Sequence, residues 1–402
     1  MSAPKTSAFE KSAMFGTYAR SPLAFERGDG VRLYSNEGEE YLDFVAGIGV
    51  NALGHSDQSI KKALLEQSEK LWHVSNIYSI PQAEKLAQKL VEATFADAVF
   101  FTNSGAEAVE CAIKTARHYF FDLGRPEKFE IIAFTGSFHG RTLGTIAAGG
   151  NPAYVEGFGP TLPGFTHLAP GDLKAVESAI GEATCAILIE PVQGEGGLTA
   201  MDKGFMSGLR KLCDRHDLLL ILDEVQCGYG RTGKFFAYEW SSIEPDIMAI
   251  AKGIGAGFPL GACLATKKVA ASMVPGTHGS TYGGNPLACA VGNAVIDRIL
   301  EDGFLAHVEK MGQVLNRHMQ QLMQKYPDLV IDVRGKGLMA GMKIKPPIRD
   351  FVESLRSHKL LCAAAGDNVL RFLPPLIINE DDIEEAFEKI SAALEEYQSE
   401  AH

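Results

Sequence analysis

Short, uninterrupted apolar runs alternate with segments of helical periodicity between about residues 98 and 290, and this alternation restricts the fold more than any other feature. Apolar runs of this length predict strands that helices cover on both faces, which is typical of a largely parallel sheet. The chain is therefore predicted to be an α/β protein, with candidate strands at 98–102, 131–134, 186–190, 218–222, 247–250 and 261–265.

The two ends of the chain differ from this central region in their pattern of apolar and turn-forming residues. A chain of 402 residues exceeds one typical hydrophobic core, so two domains are expected. Residues 1–55 show short strand-like runs with Gly and Asn turns, whereas residues 293–402 mix amphipathic helices with short strands. We expect 1–55 and 293–402 to form one smaller α+β domain beside a large domain at 56–292.

Composition excludes several classes of function. A net charge of −12 argues against a nucleic-acid binder, which would present a basic face. The polar N-terminus lacks the apolar core of a secretory signal, and no apolar run reaches membrane-spanning length, so a cytoplasmic protein without membrane contact is expected. The seven cysteines form no C-x-x-C pair, which favours buried thiols over a metal site, and Cys227 alone lies near charged motif residues.

One lysine occupies an unusual position. Lys252 is the only charged residue between 247 and 266, in a stretch predicted to be a strand, a glycine-rich turn and a second strand. Burial favours the neutral amine, which is a nucleophile and can form a Schiff base. A surface lysine with apolar neighbours remains the alternative until other residues support a site.

Other polar groups come directly after the predicted strands, at the edge where α/β sheets bind ligands. Ser104 with Glu107 forms a capping-box pattern, and Gly105 after Ser104 would let an anion approach free backbone N–H groups. Asp223 ends the most hydrophobic strand, so its carboxylate requires a cationic partner. That partner is either a protonated pyridine nitrogen of a cofactor or a nearby arginine.

Two further motifs give weaker signals. The turn GSFHGRT presents Phe138, which could stack on a planar cofactor, and Arg141, which could bind a carboxylate bidentately, while His139 is expected to be structural. The segment 228–233 matches G-x-G-x-x-G, the basis of an alternative as a nicotinamide-binding oxidoreductase. Five residues separate that segment from its strand and Pro245 interrupts the helix that should come next, so this alternative is disfavoured.

Taken together, six motifs make the chain resemble the class III pyridoxal-phosphate aminotransferases. They are NSGAEAVE (103–110), FHGRT (138–142), EPVQGEGG (190–197), LDEVQCGYGRTG (222–233), the lysine in AKGIGAGFPLGA (251–262) and HGSTYGGNPLACA (278–290). The resemblance implies a fold-type I transferase whose large domain contains a mostly parallel seven-stranded sheet. It also implies pyridoxal 5′-phosphate as cofactor, no metal, and a homodimer with composite active sites.

The resemblance also implies roles for individual residues. Lys252 would bind the cofactor covalently and carry the proton, and Asp223 would keep the ring nitrogen protonated. The remaining cofactor contacts would come from Ser104, Gly105, Ala106, Phe138, Glu224, Val225, Gln226 and, across the dimer, Thr281. Arg141, Glu195, Ser280 and Arg371 would bind substrates, with Glu195 pairing with Arg371 in one half-reaction and moving away in the other.

Within the class, the chain is most similar to enzymes that transfer the δ-amine of N-acetylornithine to 2-oxoglutarate. Enzymes that act on succinylornithine, ornithine or 4-aminobutyrate share nearly all the cofactor residues and remain alternatives. A cofactor-free binding protein is disfavoured because Lys252, Asp223 and Phe138 are all present.

Overall fold

A computed structural model of the chain describes residues 13–400; the first twelve residues of the predicted segment 1–55, together with 401–402, lie outside the described part. The strands are β1 (Phe25–Asp29), β2 (Arg32–Ser35), β3 (Glu40–Asp43), β4 (Ala98–Thr102), β5 (Glu130–Phe134), β6 (Phe165–Leu168), β7 (Thr184–Ile189), β8 (Val192–Gln193), β9 (Thr199–Ala200), β10 (Leu219–Asp223), β11 (Ile247–Ile250), β12 (Gly261–Ala265), β13 (Val330–Lys336), β14 (Met339–Ile344), β15 (Leu360–Leu361), β16 (Ala363–Ala365) and β17 (Val369–Phe372). The helices are α1 (Ala46–Gly49), α2 (Gln58–Ser68), α3 (Pro81–Ala93), α4 (Gly105–Asp122), α5 (Leu143–Gly149), α6 (Pro152–Val155), α7 (Leu173–Ala179), α8 (Lys203–His216), α9 (Lys267–Ala270), α10 (Pro286–Ile299), α11 (Phe304–Lys325), α12 (Ile348–Ser357) and α13 (Glu380–Glu400).

The central sheet has seven strands in the order β4-β12-β11-β10-β7-β5-β6. Its strands are parallel except β12, which is antiparallel to both of its neighbours. This confirms the predicted α/β fold with a mostly parallel seven-stranded sheet, and all six strands predicted from apolar runs are present. The seventh strand, β6, lies at the sheet edge and is only partly buried, so its sequence FTHL lacks the continuous apolar run of an inner strand.

Both faces of the inner strands are buried, as the apolar runs predicted. Successive residues of β10 enter two different cores: Leu220 and Leu222 pack with α8 on one face, while Leu219 and Ile221 pack with α4 on the other. Every residue of β7, β10, β11 and β12 is buried. Polar chemistry is therefore confined to the strand ends and the loops beyond them.

Two four-stranded sheets lie outside the central one, in the orders β1-β2-β3-β15 and β13-β14-β17-β16. β15, from the C-terminal part of the chain, pairs in parallel with β3, from the N-terminal part, through Leu360 opposite Leu42. The two ends of the chain thus share a sheet. The exact division into 1–55, 56–292 and 293–402 stays a prediction. Among the helices within residues 13–400, none combines the length and apolar character needed to span a membrane.

The G-x-G-x-x-G segment forms a buried turn. A Cβ atom at Gly228 would lie 2.7 Å from the carbonyl oxygen of Glu224, and Gly230 and Gly233 adopt positive φ angles of 85° and 94°. The turn leads into a short 3-10 helix, Ala237–Ser241, and not into the α-helix whose N-terminus a dinucleotide would need. The glycines serve close packing, which removes the basis of the oxidoreductase alternative.

Candidate active site

The carboxyl ends of β4, β10 and β11 open into a cavity of about 470 Å³. Nine of the residues predicted for the site line it: Ser104, Gly105, Ala106, Phe138, Arg141, Asp223, Val225, Gln226 and Lys252. Because these residues are distant in the sequence, their convergence comes from the parallel sheet.

Lys252 lies just beyond β11 at the base of this cavity. Its backbone adopts a φ of 49°, in the left-handed region, at the start of the short 3-10 helix Lys252–Ile254. Burial lowers the pKa of its ammonium group to about 8, and the positive charge of Arg371 acts in the same direction. Lys252 is therefore a half-buried amine whose neutral form is accessible near neutral pH.

Asp223 ends β10 and binds a histidine. Its Oδ2 lies 2.7 Å from Nδ1 of His139, and its Oδ1 accepts a hydrogen bond of 3.0 Å from the backbone N–H of Val225. Although burial favours the neutral imidazole, the hydrogen bond and charge of Asp223, with the charge of Glu190, raise the pKa of His139. The arginine partner considered from the sequence is wrong: within the protein, the partner of Asp223 is His139.

Glu190, at the end of β7, connects this pair to two loops. Its Oε1 accepts a hydrogen bond of 2.8 Å from the backbone N–H of Phe138, and its Oε2 lies 3.4 Å from that of Gly194. Burial and the negative charge of Asp223 raise the pKa of Glu190 to about 8. Glu190 thereby fixes the aromatic turn and the glycine-rich loop relative to Asp223.

The N-terminus of α4 forms a cradle of backbone N–H groups. Ser104 caps the helix by accepting from the N–H of Glu107 at 3.3 Å, and the Glu107 carboxylate accepts from the N–H of Asn103 at 2.7 Å. The amides of Gly105 and Ala106 have no acceptor within the helix and line the cavity. A Cβ atom at Gly105 would lie 2.7 Å from Val225, so only glycine fits against that side chain.

The two predicted carboxylate-binding arginines differ in their surroundings. Arg371, on β17, is 2% exposed and forms an ion pair of 2.5 Å with Glu195, from the loop between β8 and β9. Its Nη1 also lies 3.3 Å from Oε1 of Gln226. Arg141 is exposed, and in the described part of the chain no carboxylate lies within ion-pair distance of it. One arginine is thus covered by an acid and the other is open to a ligand.

Five of the predicted residues do not line the cavity: Arg371 and Glu195, already described, and Glu224, Ser280 and Thr281. The carboxylate of Glu224 accepts hydrogen bonds of 2.8 Å from the backbone N–H groups of Ala237 and Tyr238, so its side chain holds a loop within the protein. Ser280 accepts from the N–H of Gly283 at 2.9 Å, and Thr281 beside it is exposed. Contacts of Glu224 with a cofactor would therefore involve its backbone, and Thr281 does not reach the cavity of its own chain.

Cysteine chemistry does not contribute to this site. All seven cysteines are buried and unpaired by disulfides, which confirms the prediction of buried thiols. Burial and the charge of Glu224 raise the pKa of Cys227 well above its usual value, so its position near charged residues does not make it reactive. Within residues 13–400, no group of three or more His, Cys, Asp or Glu side chains is placed to hold a metal ion.

The cavity fits a phosphorylated pyridine aldehyde. The free amides at the start of α4 match a phosphate, the buried Asp223 carboxylate matches a protonated ring nitrogen, and the Lys252 amine matches an aldehyde. Phe138 is half-buried on the cavity wall, where an aromatic side chain can cover a ring. In the described part of the chain no carboxylate is hydrogen-bonded to Lys252, so its amine is available to a ligand.

Sequence reasoning missed several residues around this cavity. His139 was expected to be only structural, yet it is the direct partner of Asp223. Tyr154, on α6, packs against Arg141 and was not considered. Val50, Phe258 and Pro259 also line the cavity from loops that carry no motif. The only signal that could have identified His139 is its place in the same turn as Phe138 and Arg141.

Comparison with known proteins gives consistent matches over most of the chain. A family model described as Aminotransferase class-III matches residues 16–394. The chain is 57% identical over 380 residues to the acetylornithine aminotransferase of Agrobacterium fabrum, a match that covers 94% of this chain and 95% of the relative.

Solved structures of similar fold are also aminotransferases. The N-acetylornithine aminotransferase of Stenotrophomonas maltophilia matches with a TM-score of 0.83 at 36% identity, over 95% of this chain and 98% of that one. The ornithine aminotransferase of Toxoplasma gondii matches with a TM-score of 0.94 at 29% identity, over 98% of this chain and 95% of that one.

Proposed function

Since the chain belongs to the class-III aminotransferases, which use pyridoxal phosphate, we propose that it transfers the δ-amine of N-acetylornithine to 2-oxoglutarate. The products are N-acetylglutamate 5-semialdehyde and glutamate. The observation that supports this choice is the contrast between the two arginines at the site: Arg141 is open, whereas Arg371 is paired with Glu195. A donor with its carboxylate far from the reacting amine requires one free arginine, and glutamate requires two.

Lys252 has two tasks in this proposal. Its neutral Nζ would hold the cofactor covalently, and the free amine of Lys252 would move a proton at the carbon that carries the transferred nitrogen. When bound, pyridoxal phosphate supplies an electron sink for that carbon. Asp223, held by His139 and the N–H of Val225, would pair with the ring nitrogen of the cofactor. The N–H groups of Gly105 and Ala106 would hold its phosphate.

The two half-reactions use the arginines differently. With N-acetylornithine, Arg141 binds the α-carboxylate while Glu195 covers Arg371, so no unpaired positive charge faces the donor's aliphatic chain. With glutamate or 2-oxoglutarate, Glu195 moves away, Arg371 binds the carboxylate beside the reacting carbon, and Arg141 binds the distal one. Glu195 is suited to this movement because its side chain is 29% exposed, whereas that of Arg371 is 3% exposed.

A homodimer with composite sites is part of this proposal. Thr281, proposed to reach the phosphate in the neighbouring subunit, is exposed and lies in a loop that Asn76 braces through hydrogen bonds to the carbonyl oxygens of Ser280 and Gly283. Large apolar side chains around this loop are exposed: Leu71, Trp72, Ile77, Tyr78 and Tyr282. An exposed apolar patch beside a braced loop supports subunit contact at this surface.

A steady-state comparison of donors tests the substrate. With 2-oxoglutarate as acceptor, we expect kcat/KM to be highest for N-acetylornithine and at least about tenfold lower for ornithine, because the free α-ammonium of ornithine brings a positive charge close to Arg141. N-succinylornithine and 4-aminobutyrate complete the series. A preference for 4-aminobutyrate or ornithine would overturn the proposed donor while leaving the aminotransferase reaction intact.

The Glu195→Ala variant tests the proposed movement. Removing the carboxylate leaves Arg371 without its acidic partner in both half-reactions. The ratio of kcat/KM for glutamate to that for N-acetylornithine is therefore expected to rise about 10- to 100-fold, which corresponds to the free energy of one charge-assisted hydrogen bond. Single-turnover conversion of the cofactor from its aldehyde form to its amine form by each donor measures the ratio. Glu182→Ala, at an exposed glutamate, serves as control. An unchanged ratio would show that Glu195 has no part in donor choice.

A further inference from the structure

Arg141 is held by aromatic rings and not by acids. Its guanidinium carbon lies 3.6 Å from the centroid of the Tyr154 ring and 5.5 Å from that of Phe138. The two rings meet edge to face, with centroids 6.0 Å apart and an angle of 87° between their planes. In the described part of the chain, the Arg141 side chain is positioned by these two ring contacts. Arg371, by contrast, is held by a carboxylate.

The position of Tyr154 is set by a short helix. Asn151 accepts a hydrogen bond of 3.0 Å from the N–H of Ala153, and Pro152 occupies the first turn of α6, so the direction of Tyr154 is set by a capped turn. Tyr154 lines a second cavity of about 680 Å³, whose wall also includes Phe138 and Arg141. Arg141 therefore stands between this outer cavity and the cavity of Lys252, with Tyr154 on the outer side.

An aromatic ring stacked on a guanidinium group limits the orientations of that group without occupying its N–H donors. The cation–π attraction acts on the flat face of the group, whereas its N–H donors point outward in the guanidinium plane. An acid partner would orient Arg141 equally well, but it would compete with the substrate carboxylate for the same donors. A stacked tyrosine orders the long side chain before binding and leaves the donors free, which lowers the entropic cost of carboxylate binding.

We propose that Tyr154 is a positioning residue that holds the Arg141 guanidinium face-on, so that its donors are ordered for the substrate carboxylate in both half-reactions. This inference rests on the proposed function, because it takes Arg141 as the carboxylate-binding residue. Tyr154 would thereby be a determinant of specificity. It would favour the binding of substrates that bring a carboxylate to Arg141 and leave the amine chemistry at Lys252 unchanged.

Matched donors and two variants of the holoenzyme test this role. In Tyr154→Leu, the KM values for N-acetylornithine and 2-oxoglutarate are expected to rise about 2- to 30-fold, the range of a cation–π contact, with kcat changed less than about twofold. Tyr154→Phe keeps the ring and is expected to keep the wild-type KM values. N-acetyl-1,4-diaminobutane, which equals N-acetylornithine without its carboxylate, is expected to react with the same kcat/KM in all three proteins.

A second measurement does not depend on turnover of any donor. Glutarate competes through its carboxylates alone, and its inhibition constant is expected to rise in Tyr154→Leu but not in Tyr154→Phe. Equal losses on donors with and without a carboxylate would show that Tyr154 only supports the fold, and an unchanged glutarate constant would also overturn the proposal. If the wild-type protein fails to use N-acetylornithine, the proposed donor is wrong, while the glutarate result still decides the role of Tyr154.

Discussion

The Lys252→Ala variant is expected to lose at least about 10⁴-fold in kcat, because one side chain supplies both the covalent attachment and the proton transfer, and general base catalysis alone contributes about 10²- to 10⁴-fold. Purified wild-type protein should be yellow with a near-violet absorption band that borohydride abolishes. The variant should bind pyridoxal phosphate without the covalent bond and leave it removable by dialysis.

The depressed pKa of Lys252 adds a pH dependence to this prediction. Because burial lowers that pKa to about 8, the rate at which cofactor-free protein reacts with pyridoxal phosphate should rise with pH and level off just above pH 8. A lysine of ordinary pKa near 10.4 would give a rate still rising at pH 10. Stopped-flow absorbance measures the profile.

Lys61→Ala, at an exposed lysine on α2, is the control for both experiments and should match the wild-type protein. If Lys252→Ala kept the borohydride-sensitive band, another lysine would be the attachment site. A rate that levels off only above pH 10 would mean that burial does not activate Lys252.

The Asp223→Asn variant is expected to fold, bind cofactor and lose about 10²- to 10³-fold in kcat, the usual cost of removing one group that stabilises charge in the transition state. The substituted amide can still accept from the N–H of Val225, but it no longer stabilises a proton on the ring nitrogen. It also leaves His139 without an anionic partner, so the pKa of His139 should fall. Steady-state kinetics measures the loss, and histidine NMR titration monitors His139.

The His139→Gln variant separates the loss of the Asp223 charge from the loss of the contact between Asp223 and His139. It removes the imidazole that orients Asp223 through the 2.7 Å contact but keeps the Asp223 charge, so its loss in kcat should be smaller than that of Asp223→Asn. Asp122→Asn, at an exposed aspartate at the end of α4, is the neutral control. Equal activity of Asp223→Asn and wild type would show that the carboxylate is only a structural partner of His139.

The fold and several of the residues that line the cavity were predictable because they leave local signals. The inner strands must be apolar on both faces, and a polar residue such as Asp223 or Lys252 stands out where such a run ends. The capping pattern of Ser104 and Glu107 is likewise a local rule, and the structure confirms its hydrogen bond. The edge strand β6 was not found because a half-buried strand has no continuous apolar run.

The pairings inside the site were not predictable in the same way. Whether Asp223 meets an arginine or His139 depends on how the turn after β5 lies against the end of β10, and no periodicity encodes that distance. The orientation of Glu224 away from the cavity and the stacking of Tyr154 on Arg141 also arise between segments distant in sequence. Side-chain partners of this kind are set by packing.

Burial and strand length act on consecutive residues, so the α/β class and the strand ends that carry Lys252 and Asp223 could be inferred from the sequence. Which groups meet depends on packing in three dimensions: Asp223 with His139, Arg371 with Glu195, and Arg141 with Tyr154. The two kinds of signal differ in the distance over which they act. Hydrophobic periodicity is read along the chain, whereas ion pairs and ring contacts act over a few ångströms in space and bring together residues that the chain separates widely.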